Sequence, residues 1–297
     1  MRIVVTGSSG LVGSALVPAL WEAGHEVVRL VRRPPSAPDE RRWDPEAGTI
    51  DAAGLAGVDG AVHLAGEGIA EKRWTPEQKR RLVESRTKGT TLLAETLAGL
   101  DPRPSVLVSG SAVGWYGDGG EAELTEDSPR GTGFLPDLVR DWEAAAQPAR
   151  DAGIRVVTIR SGVVLSAKGG AMAKTLPLFK LGLGGPIGSG RQWWPWISID
   201  DEVGAIVHLL TADVSGPVNL TAPTPVRHKE YAAAQGRALH RPAFLPTPKL
   251  GPKLVLGSEL AAALLGDSQR VVPAKLLASG YEFRHPTIDE AMRDLLK

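Results

Sequence analysis

The sequence predicts an α/β protein with a doubly wound parallel sheet and a small, mainly helical C-terminal region. Three observations predict it. An N-terminal strand runs through a glycine turn straight into a helix. Apolar β-branched runs then alternate with helical stretches, the pattern of parallel strands joined by crossover helices. After about Pro223 the chain is Pro-punctuated and mostly helical.

The first strand is Arg2-Ile3-Val4-Val5-Thr6. It breaks into Gly7-Ser8-Ser9-Gly10-Leu11-Val12-Gly13, and apolar residues recur at helical spacing through Leu16, Leu20 and Trp21 until Gly24. Gly7 lets the chain turn sharply, Gly10 lets backbone approach a pyrophosphate, and Gly13 lets the helix pack closely on the sheet. The helix N-terminus adds free N–H groups and a positive dipole end. The spacing Gly-x-x-Gly-x-x-Gly departs from Gly-x-Gly-x-x-Gly. Between a strand and a helix it still points to dinucleotide binding rather than a plain turn.

The second strand, His25 to Val31, is followed at once by Arg32 and Arg33. An acid at this strand end would take ribose hydroxyls, whereas arginine accommodates a 2′-phosphate. Two arginines and no acid predict NADP over NAD. Pro34 to Gly60 reads as a long connection with one short element. Gly60-Ala61-Val62-His63 is a buried strand ending in the small turn Leu64-Ala65-Gly66, with His63 a core or edge residue. Thr75 and Pro76 mark a helix start, and the helix runs to about Leu97. Its charged residues are mostly solvated, with Arg86 the exception.

Ser105 to Val108 is another strand, and it leads into Ser109-Gly110-Ser111-Ala112-Val113-Gly114-Trp115-Tyr116-Gly117. Hydroxyls and glycines at a strand's carboxyl end suit a site. A helix over Pro136 to Ala152 follows, then a strand over Arg155 to Arg160. From Gly169 the character changes: five glycines fall between Gly182 and Gly190, and Trp193, Trp194 and Trp196 follow. The tryptophans could stack on a ligand, but packing is the commoner use of such residues. Ile197 to Asp201 reads as a short strand entering a helix that ends near Leu210. Val218 to Leu220 is a late strand, and later helices cover Leu254–Leu265 and Ile288–Leu296.

Composition narrows the functions. The 297 residues carry 34 Lys and Arg against 34 Asp and Glu, a balance that gives no reason to expect nucleic-acid or anionic-membrane binding. With no cysteine, disulfides, thiolate catalysis and Cys-based metal sites are excluded. Six histidines without close pairing predict no metal site. No apolar run approaches membrane-spanning length and the N-terminus is a strand, so the expected location is the cytoplasm.

These residues resemble the extended short-chain dehydrogenase/reductase superfamily, in its nucleotide-sugar epimerase branch, over essentially the whole chain. The resemblance rests on Thr6 to Gly13, His63 to Gly66, Ser111 to Gly117, and Trp196 to Asp201. More closely, the chain is similar to epimerase-family proteins with a C-terminal domain of unknown function. Arg73-Trp74, Ser85-Arg86, Trp142-Glu143, Arg160 to Leu165, Gly182 to Gln192 and Gln269 to Pro273 carry that likeness. It implies a Rossmann domain over residues 1–222 and a substrate-side region over 223–297. It also implies an NADP site of Gly7, Ser9, Gly10, Leu11, Val12, Arg32, Arg33, Leu64, Ala65, Gly66, Arg86 and Ser109, and a small-molecule substrate; it leaves the oligomeric state open, a homodimer being one option because such proteins often pair through helices beside the sheet.

The departures from that family are informative. Its active members use a Tyr-x-x-x-Lys pair on the helix after the Ser segment, and the equivalents here are Leu135 and Val139. A helix asparagine of the family is replaced by Arg86, which leaves Ser111 of the usual constellation. Two readings follow. In one, hydride transfer on a small polar or sugar-nucleotide substrate persists, with Ser111 holding the reacting oxygen and Tyr116 carrying the proton. In the other, the chain is an NADP-binding regulatory or interaction protein without turnover.

Overall fold

A computed structural model describes residues 1–246 and 257–297. Its strands are β1 (Arg2–Thr6), β2 (Glu26–Val31), β3 (Glu40–Asp44), β4 (Thr49–Ile50), β5 (Gly60–His63), β6 (Val106–Ala112), β7 (Glu123–Leu124), β8 (Arg155–Ser161), β9 (Val163–Leu165), β10 (Trp193–Trp194), β11 (Trp196–Ser198), β12 (Gly216–Leu220), β13 (Val226–Arg227) and β14 (Arg270–Val271). Its helices are α1 (Leu11–Glu22), α2 (Pro76–Ala98), α3 (Phe134–Ala144), α4 (Gln147–Asp151), α5 (Gly170–Lys180), α6 (Ile199–Leu209), α7 (His228–Ala238), α8 (Ser258–Leu265), α9 (Ala274–Ala278) and α10 (Ile288–Leu295).

The main sheet has the order β12-β8-β6-β5-β1-β2-β3-β4, parallel throughout except for the β3–β4 pair. Strand order reverses between β1 and β5, which opens a crevice at their carboxyl ends where doubly wound sheets bind ligands. Alternation along the strands feeds two cores. Ile3, Val5, Val62, Val108, Val157 and Ile159 face Leu16 and Leu20 of α1 and Ile206 and Leu209 of α6. Val4, Val28, Leu107 and Val156 face Leu93 and Leu97 of α2 and Ala149 of α4. This is the predicted doubly wound architecture.

Two local expectations change. The Pro34–Gly60 connection contains β3, which pairs with β2, and β4. The helix expected over Pro136–Ala152 is two helices, α3 and α4, with Pro148 in the first turn of the second, where its missing N–H costs nothing. At the start of α2, Thr75 Oγ1 accepts from Gln78 N, as the sequence predicts. The expected helix over Leu254–Leu265 begins among residues outside those described; its later part is α8.

The C-terminal region packs onto the end of the sheet. Tyr231 and Ala234 of α7 and Ile288 and Met292 of α10 share a core with Leu165, Met172, Trp194 and Trp196. Among the described residues, no helix is long and apolar enough to cross a membrane.

Candidate functional site

The glycine turn is held by close packing. Gly7 has φ 68°, a conformation that favours glycine. A Cβ on it would lie 2.7 Å from the carbonyl carbon of Leu64, and a Cβ on Gly13 would lie 2.2 Å from the carbonyl oxygen of Gly7. Gly10 is the N-cap of α1, and no side chain caps that helix. Its first N–H groups therefore face the crevice edge without an intrahelical acceptor.

Thr6 fixes this turn against the next one. Its Oγ1 accepts from the backbone N–H groups of Leu64 and Ala65 at 3.1 and 3.2 Å. Both lone pairs are then used, so the hydroxyl proton goes to Nδ1 of His63 at 2.7 Å. His63 is therefore the neutral Nε2–H tautomer. It is fully buried, and burial lowers its pKa to about 4.

Arg32 and Arg33 stand in different environments. Arg33 Nη1 and Nη2 donate to the buried Glu40 carboxylate at 2.8 and 2.5 Å, and this pairing, helped by Ser36 N, holds Glu40 down to about 2. Arg32 is exposed and makes no hydrogen bond or ion pair among the described residues. Of the two, Arg32 is the one whose charge is uncommitted.

Arg86 lies beneath the Gly66 turn, where a Cβ on Gly66 would meet its side chain at 3.5 Å. Its guanidinium donates to the carbonyls of Leu82 and Glu67 and sits 5.0 Å from the Trp142 ring. Nε is buried without a partner, and burial lowers the pKa to about 10. Ser9 and Gly10 are exposed and Leu11 and Val12 half-buried, whereas Ser109 is buried with its hydroxyl unpartnered. The turn, Leu64, Ala65, Gly66 and Arg86 are thus brought together, while Ser109 lies inside the sheet.

Ser111 and Tyr116 belong to one buried polar chain but do not touch. Ser111 Oγ donates to Glu143 Oε1 at 2.6 Å. Arg160 grips the same carboxylate from Nε and Nη2, at 2.8 and 3.0 Å. Its Nη1 donates to Tyr116 Oη at 3.2 Å, and that hydroxyl donates to Asn219 Oδ1 at 2.6 Å. Asn219 Nδ2 ends the chain on the carbonyl of Val272. The Tyr116 ring packs with Val113, Leu124 and Val271, and burial raises its pKa against the opposing influence of Arg160. Leu135 and Val139 face the Ser111–Tyr116 segment: a Cβ on Gly114 would meet them at 3.4 and 3.7 Å.

Sequence reasoning gave no role to Thr6, Glu143, Arg160 or Asn219. One signal was available for Arg160, a charged residue in the apolar run Val156-Val157-Thr158-Ile159, since such a charge needs a partner. Trp194 and Trp196 are core residues, while Trp193 is half-buried beneath Arg227 at 4.4 Å.

Sheet order, glycine turn and uncapped helix together define a protein of the doubly wound, Rossmann-type α/β class. A family model described as the NAD dependent epimerase/dehydratase family matches residues 3–221, and one for a domain of unknown function (DUF1731) matches residues 247–295. "Epimerase family protein Mb2239" of Mycobacterium bovis is 44% identical over 98% of this chain and 96% of its own length. "Epimerase family protein SDR39U1" of Homo sapiens is 42% identical over the full length of both. The crystal structure of human SDR39U1 (isoform 2) with NADPH superposes with a TM-score of 0.92, at 40% identity, covering 100% of this chain and 99% of that one. The chain belongs to the NAD dependent epimerase/dehydratase family.

Proposed function

We propose that the chain is an NADP(H)-binding protein, holding the pyrophosphate at the N-terminus of α1 and the 2′-phosphate at Arg32. The observation that carries this reading is the pairing of a turn whose glycines admit no side chain with an uncommitted arginine. Gly7 and Gly13 leave no room for a Cβ, and Arg32 keeps its charge while Arg33 spends its own on Glu40. The residues fit the group: uncapped N–H donors suit a diphosphate, and a guanidinium suits a phosphate monoester. The NADPH in the human relative's structure supports the same reading. Titration with NADPH and NADH at one ionic strength tests it. Clear preference for NADPH is expected; equal or absent binding would overturn it.

For the chemistry, the geometry favours binding without the usual turnover. NADP supplies a hydride acceptor when bound, and hydride transfer also needs a proton carrier. Tyr116 Oη is spent on Asn219 and Arg160, Ser111 Oγ is spent on Glu143, and Leu135 and Val139 cannot carry a proton. The chain then acts as a cofactor-dependent regulatory or interaction protein. Family membership and the place of Ser111 at the end of β6 favour a second reading, hydride transfer on a small polar or sugar-nucleotide substrate. That reading requires Tyr116 to leave Asn219 and turn toward Ser111. NADPH consumption against a panel of sugar nucleotides and small carbonyl compounds tests it: turnover that Tyr116→Phe abolishes would establish catalysis.

A further inference from the structure

α1 and α6 pack side by side on one face of the sheet, and each leads into one of its parallel strands, β2 and β12, so both first turns lie on the sheet's carboxyl side. Val12 from one and Ile199 and Val203 from the other pack against a single apolar cluster on the same face of the sheet. In that turn of α6 sits Glu202, 1% exposed. Its Oε1 accepts the hydroxyl of Ser161, the last residue of β8, at 2.5 Å. Its Oε2 is buried with no hydrogen-bond partner.

No cation compensates this carboxyl among the described residues. Leu11 to Ser14 of α1, β9 and β11 carry no ionisable side chain. Arg160 of β8 is turned onto Glu143. On α6 itself, Asp201 is taken up by Ser198, Tyr281 and the backbone N–H groups of Arg284 and His285. Asp200 lies 3.9 Å from Arg284 and 4.0 Å from His285, and His208 at the far end of the helix bonds to Ser279. Taking a lone carboxylate out of water without a partner is costly, so the neutral acid is the form the site accepts. Burial accordingly pushes Glu202 up to about 8, and the Ser161 hydroxyl favours the anion.

We propose that Glu202 links dinucleotide binding to its own protonation, so that the chain takes the dinucleotide's phosphates at α1 with Glu202 neutral and binds them more weakly once Glu202 ionises. The inference rests on the NADP(H) reading. Negative charge at the α1 N-terminus adds to the cost of a second, buried negative charge in the first turn of the helix packed beside it. By reciprocity, ionising Glu202 must weaken the dinucleotide.

The test is NADPH binding followed by fluorescence from pH 7 to about 9.5, a range above the last ionisation of a phosphate monoester near 6. Wild type and Glu202→Gln are compared, with a melting curve at each pH. The wild-type Kd should rise about tenfold, the equivalent of one pKa unit, while Glu202→Gln stays near the wild-type pH 7 value throughout. Ser161→Ala supplies a second variant: losing the hydroxyl that favours the anion should move the wild-type break to higher pH. A flat wild-type profile, or the same rise in Glu202→Gln, would overturn the link and leave the cofactor reading standing. Failure of folded wild type to bind NADPH at pH 7 would overturn both.

Discussion

Ser111 Oγ and Glu143 Oε1 lie 2.6 Å apart, with Arg160 bonded to both oxygens of the same carboxylate. The serine proton is therefore committed before any ligand arrives, and toward a ligand Ser111 offers lone pairs. The pairing also carries a stability cost when broken, because the Arg160 side chain is only 3% exposed. Glu143→Ala leaves that guanidinium buried without its counter-charge and should destabilise the fold by about 3–5 kcal/mol. Urea denaturation of the single variants and of Glu143→Ala/Arg160→Met checks this. The double variant should cost clearly less than the sum of the two.

Tyr116→Phe removes a hydroxyl that Asn219 and Arg160 share. Each loses one partner while Asn219 keeps Val272 and Arg160 keeps Glu143, so the expected loss is about 1–2 kcal/mol. In the binding reading, NADPH affinity is unchanged in this variant. Isothermal titration calorimetry measures it, and a large loss of affinity would place Tyr116 against the cofactor instead.

Two glycines of the turn, Gly10 and Gly13, should separate by role. A Cβ on Gly13 meets backbone at 2.2 Å, whereas on Gly10 its nearest neighbour is the carbonyl oxygen of Gly7 at 3.3 Å. Gly13→Ala should therefore destabilise the fold by about 1–3 kcal/mol, as overpacking does. Gly10→Ala should melt within a few degrees of wild type yet bind NADPH at least about tenfold more weakly, because its methyl group occupies the approach to the pyrophosphate. Paired melting and titration curves read both effects.

His63 gives the stability a defined acid limb. Its folded pKa of about 4 lies below the ordinary 6.5, so the folded state favours the neutral ring. Its contribution is fully present above about 6.5 and is lost as pH falls through 4. The total loss is roughly 3 kcal/mol at 1.36 kcal/mol per pKa unit. Comparing wild type with His63→Gln from pH 7 to 3.5 isolates this, since the carboxylates titrate in both. A difference that does not change with pH would show that His63 is not the cause.

The sequence made much of this legible where the signal is local. Gly7 to Gly13 announced the turn because the strand before it and the helix after it are contiguous, and Thr75-Pro76 announced α2 because a cap is a property of neighbours. β3 was illegible: Glu40-Arg41-Arg42-Trp43-Asp44 has no apolar alternation. It forms a strand because β2 offers it an edge and because Arg33 and Arg29 neutralise Glu40 there. The Ser111–Glu143–Arg160 chain was hidden for a different reason. Its members come from β6, α3 and β8, and nothing in their spacing along the chain reveals that the sheet brings them into contact.

Charge reversal at Arg32 shows whether this chain binds NADP(H) through an arginine whose charge is not already spent. NADPH and NADH are titrated into wild type, Arg32→Asp and Arg33→Gln at one ionic strength. Wild type should prefer NADPH, Arg32→Asp should lose the preference with its NADH affinity little changed, and Arg33→Gln should keep it. Wild type without preference, or Arg32→Asp with preference intact, would rule out Arg32 as the residue that selects the 2′-phosphate.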